Sequence, residues 1–208
     1  MPDVGLALPL TAPDARAETA VEFARRAEEA GAHSVWTIDR LVFDCQESLV
    51  SLAAVAATTS RVRLGTSVLL GALRPPALLA KMIASLDRLS GGRVILGLGV
   101  GSRPDDFAAA RVPFEHRGGR AEELVRILRL AWSGAPVRHA GRFYQMDVGP
   151  IGPRPVQQPY PPIWFGGSAE PALKRVGRIA DGYIAGSGGG PEGFRATWEK
   201  VCRYAEAA

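Results

Sequence analysis

Short apolar runs alternate with helical repeats six times along this chain, and few architectures accept that order. Residues 4–8 form an apolar run closed by Pro9, the pattern of a parallel strand buried on both faces. Thr11 with Asp14 three positions on resembles a capping box, and Ala17, Val21, Phe23, Ala24 and Ala27 then recur at helical spacing up to Gly31. The same unit repeats as a strand over 34–38 and a helix over 46–59, then a strand over 62–70 and a helix over 76–89 that stops at Gly91-Gly92. A fourth strand is predicted over 94–100. After a short segment at 104–112 comes an amphipathic helix over 115–132, with Leu124, Ile127, Leu128 and Ala131 on one face.

The rhythm then breaks. Between residues 134 and 162 stand Pro136, Pro150, Pro153, Pro155, Pro159, Pro161 and Pro162, so this stretch reads as an insertion loop, with a small hairpin over 141–146. Alternation resumes with strands at 163–165 and 183–185 and helices at 169–180 and 192–207. Six strand–helix units joined by right-handed crossovers form either an open doubly wound sheet or a barrel. A closed parallel barrel takes eight strands and about 250 residues, whereas this single domain, 1–208, has 208. The barrel reading is therefore of a TIM (β/α)8-type fold that is incomplete at six units.

Composition narrows the function. The net charge of +4 comes from basic residues interleaved with acids along the chain, which argues against a nucleic-acid partner. The two cysteines, Cys45 and Cys202, and the three histidines, His33, His116 and His139, show no ligand spacing, so no metal site is expected. No signal-peptide pattern and no apolar stretch of about 18 residues occurs, and the expectation is a cytoplasmic protein without a membrane partner.

Three segments have the composition of a site. Gly97 to Ser102 superficially matches a dinucleotide fingerprint, but the third glycine position falls on Ser102 and the next residues do not open a long helix. Gly99, Val100, Gly101 and Ser102 instead read either as a strand end left bare for a planar ring or as tight strand-to-helix packing. Gly166-Gly167-Ser168 runs from a strand into a helix with Pro171 in its first turn, where free N–H groups suit a phosphate. Ser168 as a simple helix cap is the other reading, and Glu170 disfavours an anion there. Asp39-Arg40 follows the second strand, where barrel ligands bind, although a surface ion pair explains it as well. The four tryptophans, Trp36, Trp132, Trp164 and Trp198, read as packing residues.

Several stretches together resemble the bacterial luciferase-like monooxygenase family of flavin- and deazaflavin-dependent oxidoreductases. They include Ala27-Glu28-Glu29-Ala30-Gly31, Ser60-Arg61-Val62-Arg63-Leu64-Gly65-Thr66, Leu86-Asp87-Arg88-Leu89-Ser90-Gly91-Gly92-Arg93, Gly97 to Gly101, Pro153-Arg154-Pro155-Val156-Gln157 and Pro161-Pro162-Ile163-Trp164-Phe165-Gly166-Gly167-Ser168. The resemblance implies FMN or coenzyme F420 as cofactor and a small organic substrate. It places a non-prolyl cis peptide at Ser67-Val68 behind the cofactor ring, Gly99 to Ser102 along the ring, and Gly166, Gly167 and Ser168 at the phosphate. Asp39 and Arg40 are then the candidate catalytic pair, with Asp39 facing substrate. Many deazaflavin-using relatives carry Asp-His at that position, and some carry Glu where Ser102 stands. An arginine stays protonated, so Arg40 can bind an anion but cannot shuttle a proton.

Relatives continue through two further strands. The shorter chain is expected to be a shortened gene product, a subunit completed by a partner, or a reduced member that binds flavin without turnover. Open strand edges favour a homodimer. The alternative to an enzyme is a noncatalytic flavin-binding or partner subunit.

Overall fold

The computed structural model describes residues 3–12, 17–186 and 188–208. Asp14, the second half of the expected capping box, lies outside them.

Six parallel strands form one sheet: β1 (Gly5–Ala7), β2 (Ser34–Thr37), β3 (Arg63–Thr66), β4 (Val94–Leu98), then β7 (Ile163–Gly166) and β8 (Gly182–Ile184), in that spatial order. Between β4 and β7 the chain makes a separate antiparallel hairpin, β5 (Pro136–Ala140) and β6 (Gln145–Pro150). The helices are α1 (Ala17–Glu29), α2 (Ser48–Thr58), α3 (Pro76–Leu89), α4 (Pro104–Ala109), α5 (Arg117–Trp132), α6 (Glu170–Ile179) and α7 (Gly190–Glu206). Strand order follows chain order throughout the sheet, as in a barrel wall, and not the reversal of a doubly wound fold. Eight strands close such a barrel, and β1 and β8 are the two edges of this incomplete one.

Alternation along the strands decides which residues face which layer. Val35, Leu64, Leu96 and Phe165 are buried in the layer shared with Leu52, Val55, Leu79, Ile83, Leu124 and Leu128 of the helices. The opposite face is concave and carries Trp36 of β2 and Trp164 of β7, whose ring centroids lie 5.7 Å apart. Each indole needs small neighbours in register. Trp36 is flanked by Ala7 and Gly65, and Trp164 by Gly97 and Gly182. A Cβ on Gly65 would overlap the Trp36 ring, and one on Gly182 would sit 2.6 Å from Trp164. Glycine in a strand interior is thus repaid by the indole that covers it.

Loops are tied down by carboxylates from elsewhere in the chain. Glu28 of α1 accepts from the N–H groups of Ser60, Arg61 and Val62, and Asp87 of α3 from those of Val156 and Gln157. Glu123 of α5 accepts from Arg142, Phe143 and Tyr144 and meets His139 at 3.2 Å. Burial pushes the carboxyls of Glu28 and Glu123 up, but these hydrogen bonds outweigh it and hold both below the ordinary glutamate value.

Three expectations change. The first strand is an edge with Gly5 and Ala7 exposed, because among the described residues it pairs only with β2. The third strand ends at Thr66, where the chain kinks through Ser67-Val68, not at residue 70. The insertion is an ordered hairpin whose strands flank the predicted 141–146 piece, with Val137 fully buried. Pro136 and Pro150 lie opposite each other at its open end, where a missing N–H costs little.

Candidate active site

The carboxyl ends of β2, β3, β4 and β7 converge on one mouth. Beyond β3, the Ser67-Val68 peptide is cis, as the resemblance implied. The kink does not end pairing, because Leu69 N donates to Gly97 O at 2.7 Å and Gly99 N to Leu69 O at 3.0 Å. Val68 is thereby aimed across the strand tips. A Cβ on Gly99 would overlap Val68 Cγ2, and one on Gly166 would stand 2.8 Å from Val68 Cγ1. The two glycines therefore make room for the Val68 isopropyl group, and it is Val68, not bare glycine, that stands between them.

Gly101 has φ of +76°, accepts from Arg117 Nε at 3.0 Å, and leaves half-buried Val100 to pack on the core while Ser102 stays exposed. Gly167 has φ of +134°, which only glycine adopts readily, and its carbonyl accepts from Tyr183 Oη at 3.1 Å. The N-cap of α6 is Ala169, with no side-chain cap, so Ser168 does not cap the helix. Residues 167–171 are exposed; in the first turn of α6 Pro171 has no N–H and Ala172 N donates to Ala169 O at 2.8 Å, so the turn offers a ligand the N–H of Glu170, whose own carboxylate stands beside it.

Two cavities open at the mouth and share Ile38 and Ser67. The larger, about 310 Å³, is walled by Trp36, Trp164, Tyr183 and Ile184. The smaller, about 230 Å³, is bordered by Asp39, Arg40, Val68, Gly101, Ser102 and Arg103.

Asp39 and Arg40 border this site but are not free. Asp39 is buried, accepts from Leu70 N at 2.8 Å, and is gripped by both Arg74 nitrogens at 2.7 and 3.0 Å. Arg40 pairs with Asp106 of α4, whose other oxygen accepts from Leu41 N and Val42 N at 2.9 Å each. Burial pushes the Asp106 carboxyl up, but bonds from Val42, Arg40 and Leu41 hold it below the usual aspartate value. Three of the roughly four acceptor sites of the Asp39 carboxylate are thus taken by Leu70 and Arg74. Sequence reading missed Arg74 and Asp106, which lie 35 and 66 residues from their partners and leave no local signal. It also took Trp36 and Trp164 for packing alone, whereas both are half-buried cavity walls.

No group of His, Cys, Asp and Glu among the described residues is arranged to hold a metal, and no described helix is long and apolar enough to cross a membrane.

The fold and its mouth define a parallel β/α-barrel protein, incomplete at six strands, with two cavities at the carboxyl ends. The chain belongs to the luciferase-like monooxygenase family, which matches over residues 4–208. An F420-dependent glucose-6-phosphate dehydrogenase of Amycolatopsis mediterranei is 36% identical over 182 residues, covering 83% of this chain and 54% of that protein. An uncharacterized protein of Mycobacterium tuberculosis is 40% identical over 162 residues, covering 78% and 55%. The chain thus spans about half the length of the curated relatives it matches. The crystal structure of monooxygenase RslO1 from Streptomyces bottropensis superposes with a TM-score of 0.87 at 28% identity, over 100% of this chain and 67% of that one.

Proposed function

We propose that this chain binds a flavin or deazaflavin, FMN or coenzyme F420, and acts in oxidation or reduction of a small organic molecule. The observation that carries the proposal is the convergence of Ser67-Val68, Gly99 and Gly166 on one mouth, beside the smaller cavity that Ser67, Val68, Gly101 and Ser102 border. Ser67, Val68 and residues 99–102 would hold the ring. Gly166, Gly167, Ser168 and the uncapped start of α6 would hold the anionic tail, since a helix N-terminus attracts negative charge. When bound, such a cofactor supplies either hydride transfer or activation of oxygen. The protein's own contribution is to orient the ring, exclude water and fix the mouth loops through the Asp39–Arg74 and Arg40–Asp106 pairs.

Titrating the purified protein with FMN and with F420, read by cofactor fluorescence, tests this directly. Saturable binding of one of them is expected, and failure of both overturns the proposal. The engagement of Asp39 and Arg40 favours a second reading, a flavin-binding subunit without turnover, which stable binding with no oxygen uptake and no hydride transfer would select.

A homodimer is part of the same proposal. Helix α2 contains no charged residue, and the groove it forms with α3 exposes Val50 (67%), Leu78 (51%) and Leu89 (69%). A helix without a charge and with Val50 left exposed beside such a groove is ordinarily covered, and a second copy would cover it by presenting the same surface. Sedimentation of the wild type as a dimer and of Val50→Asp as a monomer is expected, whereas a monomeric wild type rules the arrangement out.

A further inference from the structure

We infer that the small molecule taken at this mouth is uncharged and largely apolar, a flat or alicyclic ring compound and not a sugar phosphate. The inference rests on the cofactor reading above and specifies the substrate class of that same site. Its first ground is the wall of the larger cavity. Two half-buried indoles, Trp36 and Trp164, tilted 36° to each other, face it with Ile38 and Ile184, and such walls reward apolar and aromatic contact.

The second ground is that the charges at the mouth are already spent on one another. Asp39 is neutralised by Arg74, which also pairs with Glu47, and Arg40 by Asp106. Tyr183 donates its hydroxyl to Gly167 O, and burial pushes the phenol up, so it stays neutral. Arg103 is exposed and lines the smaller cavity but not the indole-walled one. A phosphate entering between the indoles would lose its water and meet no counter-charge, a large penalty for a dianion.

The third ground is the rim. Leu41, Val42 and Phe43 are all exposed directly after the β2 tip, and Asp106 fixes the backbone of the first two at 2.9 Å. An exposed apolar run tied down next to Arg40, which borders the smaller cavity, is a surface that a neutral ligand can bury, and its fixing lowers the ordering cost of doing so.

Equilibrium dialysis of the protein with 1-indanone, cyclohexanone and glucose 6-phosphate, each with and without FMN or F420, tests the inference. At least one neutral ring compound is expected to bind about tenfold more tightly than glucose 6-phosphate. Ile184→Thr, which has the shape of Ile184→Val with a hydroxyl in place of one methyl, is expected to weaken that binding about fivefold, while Ile184→Val leaves it near wild type. Thermal melts of both variants confirm that the comparison is made on folded protein. Preferential binding of glucose 6-phosphate, or an Ile184→Thr variant that binds indanone like the wild type, overturns the substrate class while leaving the cofactor reading in place. Loss of cofactor binding alone strikes the other reading, since the cavity is still probed by the neutral ligands in cofactor-free protein.

Discussion

Two corners of the same mouth are built on opposite plans. Around Asp39, Arg40, Arg74 and Asp106 the chain concentrates charge and then cancels it, pair by pair, so that all four groups are engaged with one another. Around Val68, Gly99 and Gly166 it removes side chains and lets one isopropyl group settle among three strand tips. The first corner fixes loops, and the second shapes a surface. A site assembled this way recognises ligands by shape and main-chain contact and leaves difficult chemistry to what it binds.

The comparison is broken most forcefully at Asp106, which is 1% exposed and holds Leu41 N, Val42 N and Arg40 together. Asp106→Ala leaves two N–H groups and a guanidinium without their acceptor, and a loss of about 3 kcal/mol, roughly 10 °C in Tm, is expected. A melt indistinguishable from wild type would mean the charged corner fixes nothing.

Gly99→Ala tests the other corner. Its new Cβ displaces Val68, and overpacking of about 1–3 kcal/mol is expected to appear as a ten- to hundredfold weaker affinity for FMN or F420. The double variant Gly99→Ala with Val68→Ala should recover much of that affinity, since the two sites share one space. Additive losses instead would show that Val68 and Gly99 act separately.

Acid separates the corners further. Asp106, Glu28 and Glu123 sit below the ordinary carboxylate values of 3.8 and 4.5 in the folded protein. Groups lowered in this way stabilise the fold fully above the unfolded value, and the contribution is lost as pH falls through the folded one. Tm should hold near neutrality and decline below about pH 4.5, with a shallower decline in Glu123→Gln. The glycine corner contributes no slope of its own.

The smallest expected effect is Arg74→Lys, which keeps the charge but loses the two-pronged grip on Asp39, for about 1 kcal/mol in thermal or urea melts. A larger loss would place Arg74 nearer the centre of the mouth's stability than its partial exposure suggests.

Much of the wall was legible in the chain. Strand β4 lies within the predicted 94–100 and α3 matches the predicted 76–89, because alternation and glycine stops are local signals. Where the reading slipped, a partner was remote. The strand predicted to run to residue 70 breaks at Thr66, where the chain kinks through Ser67-Val68 before its pairing with β4 resumes at Leu69 opposite Leu98. The prolines of 134–162 looked like a loop, yet Glu123 and a buried Val137 hold that stretch as a hairpin against α5.

What the chain order alone determined is the succession of six strand–helix units and the bare stretches after β4 and β7, since both follow from spacing and residue size within a few positions. What only the tertiary structure decided is which groups meet: Asp39 with Arg74, Arg40 with Asp106, Trp36 with Trp164, Val68 with two glycines. The physical reason is range. Backbone preference acts over neighbouring residues, whereas an ion pair or a steric fit at the mouth depends on how far the whole sheet has curved.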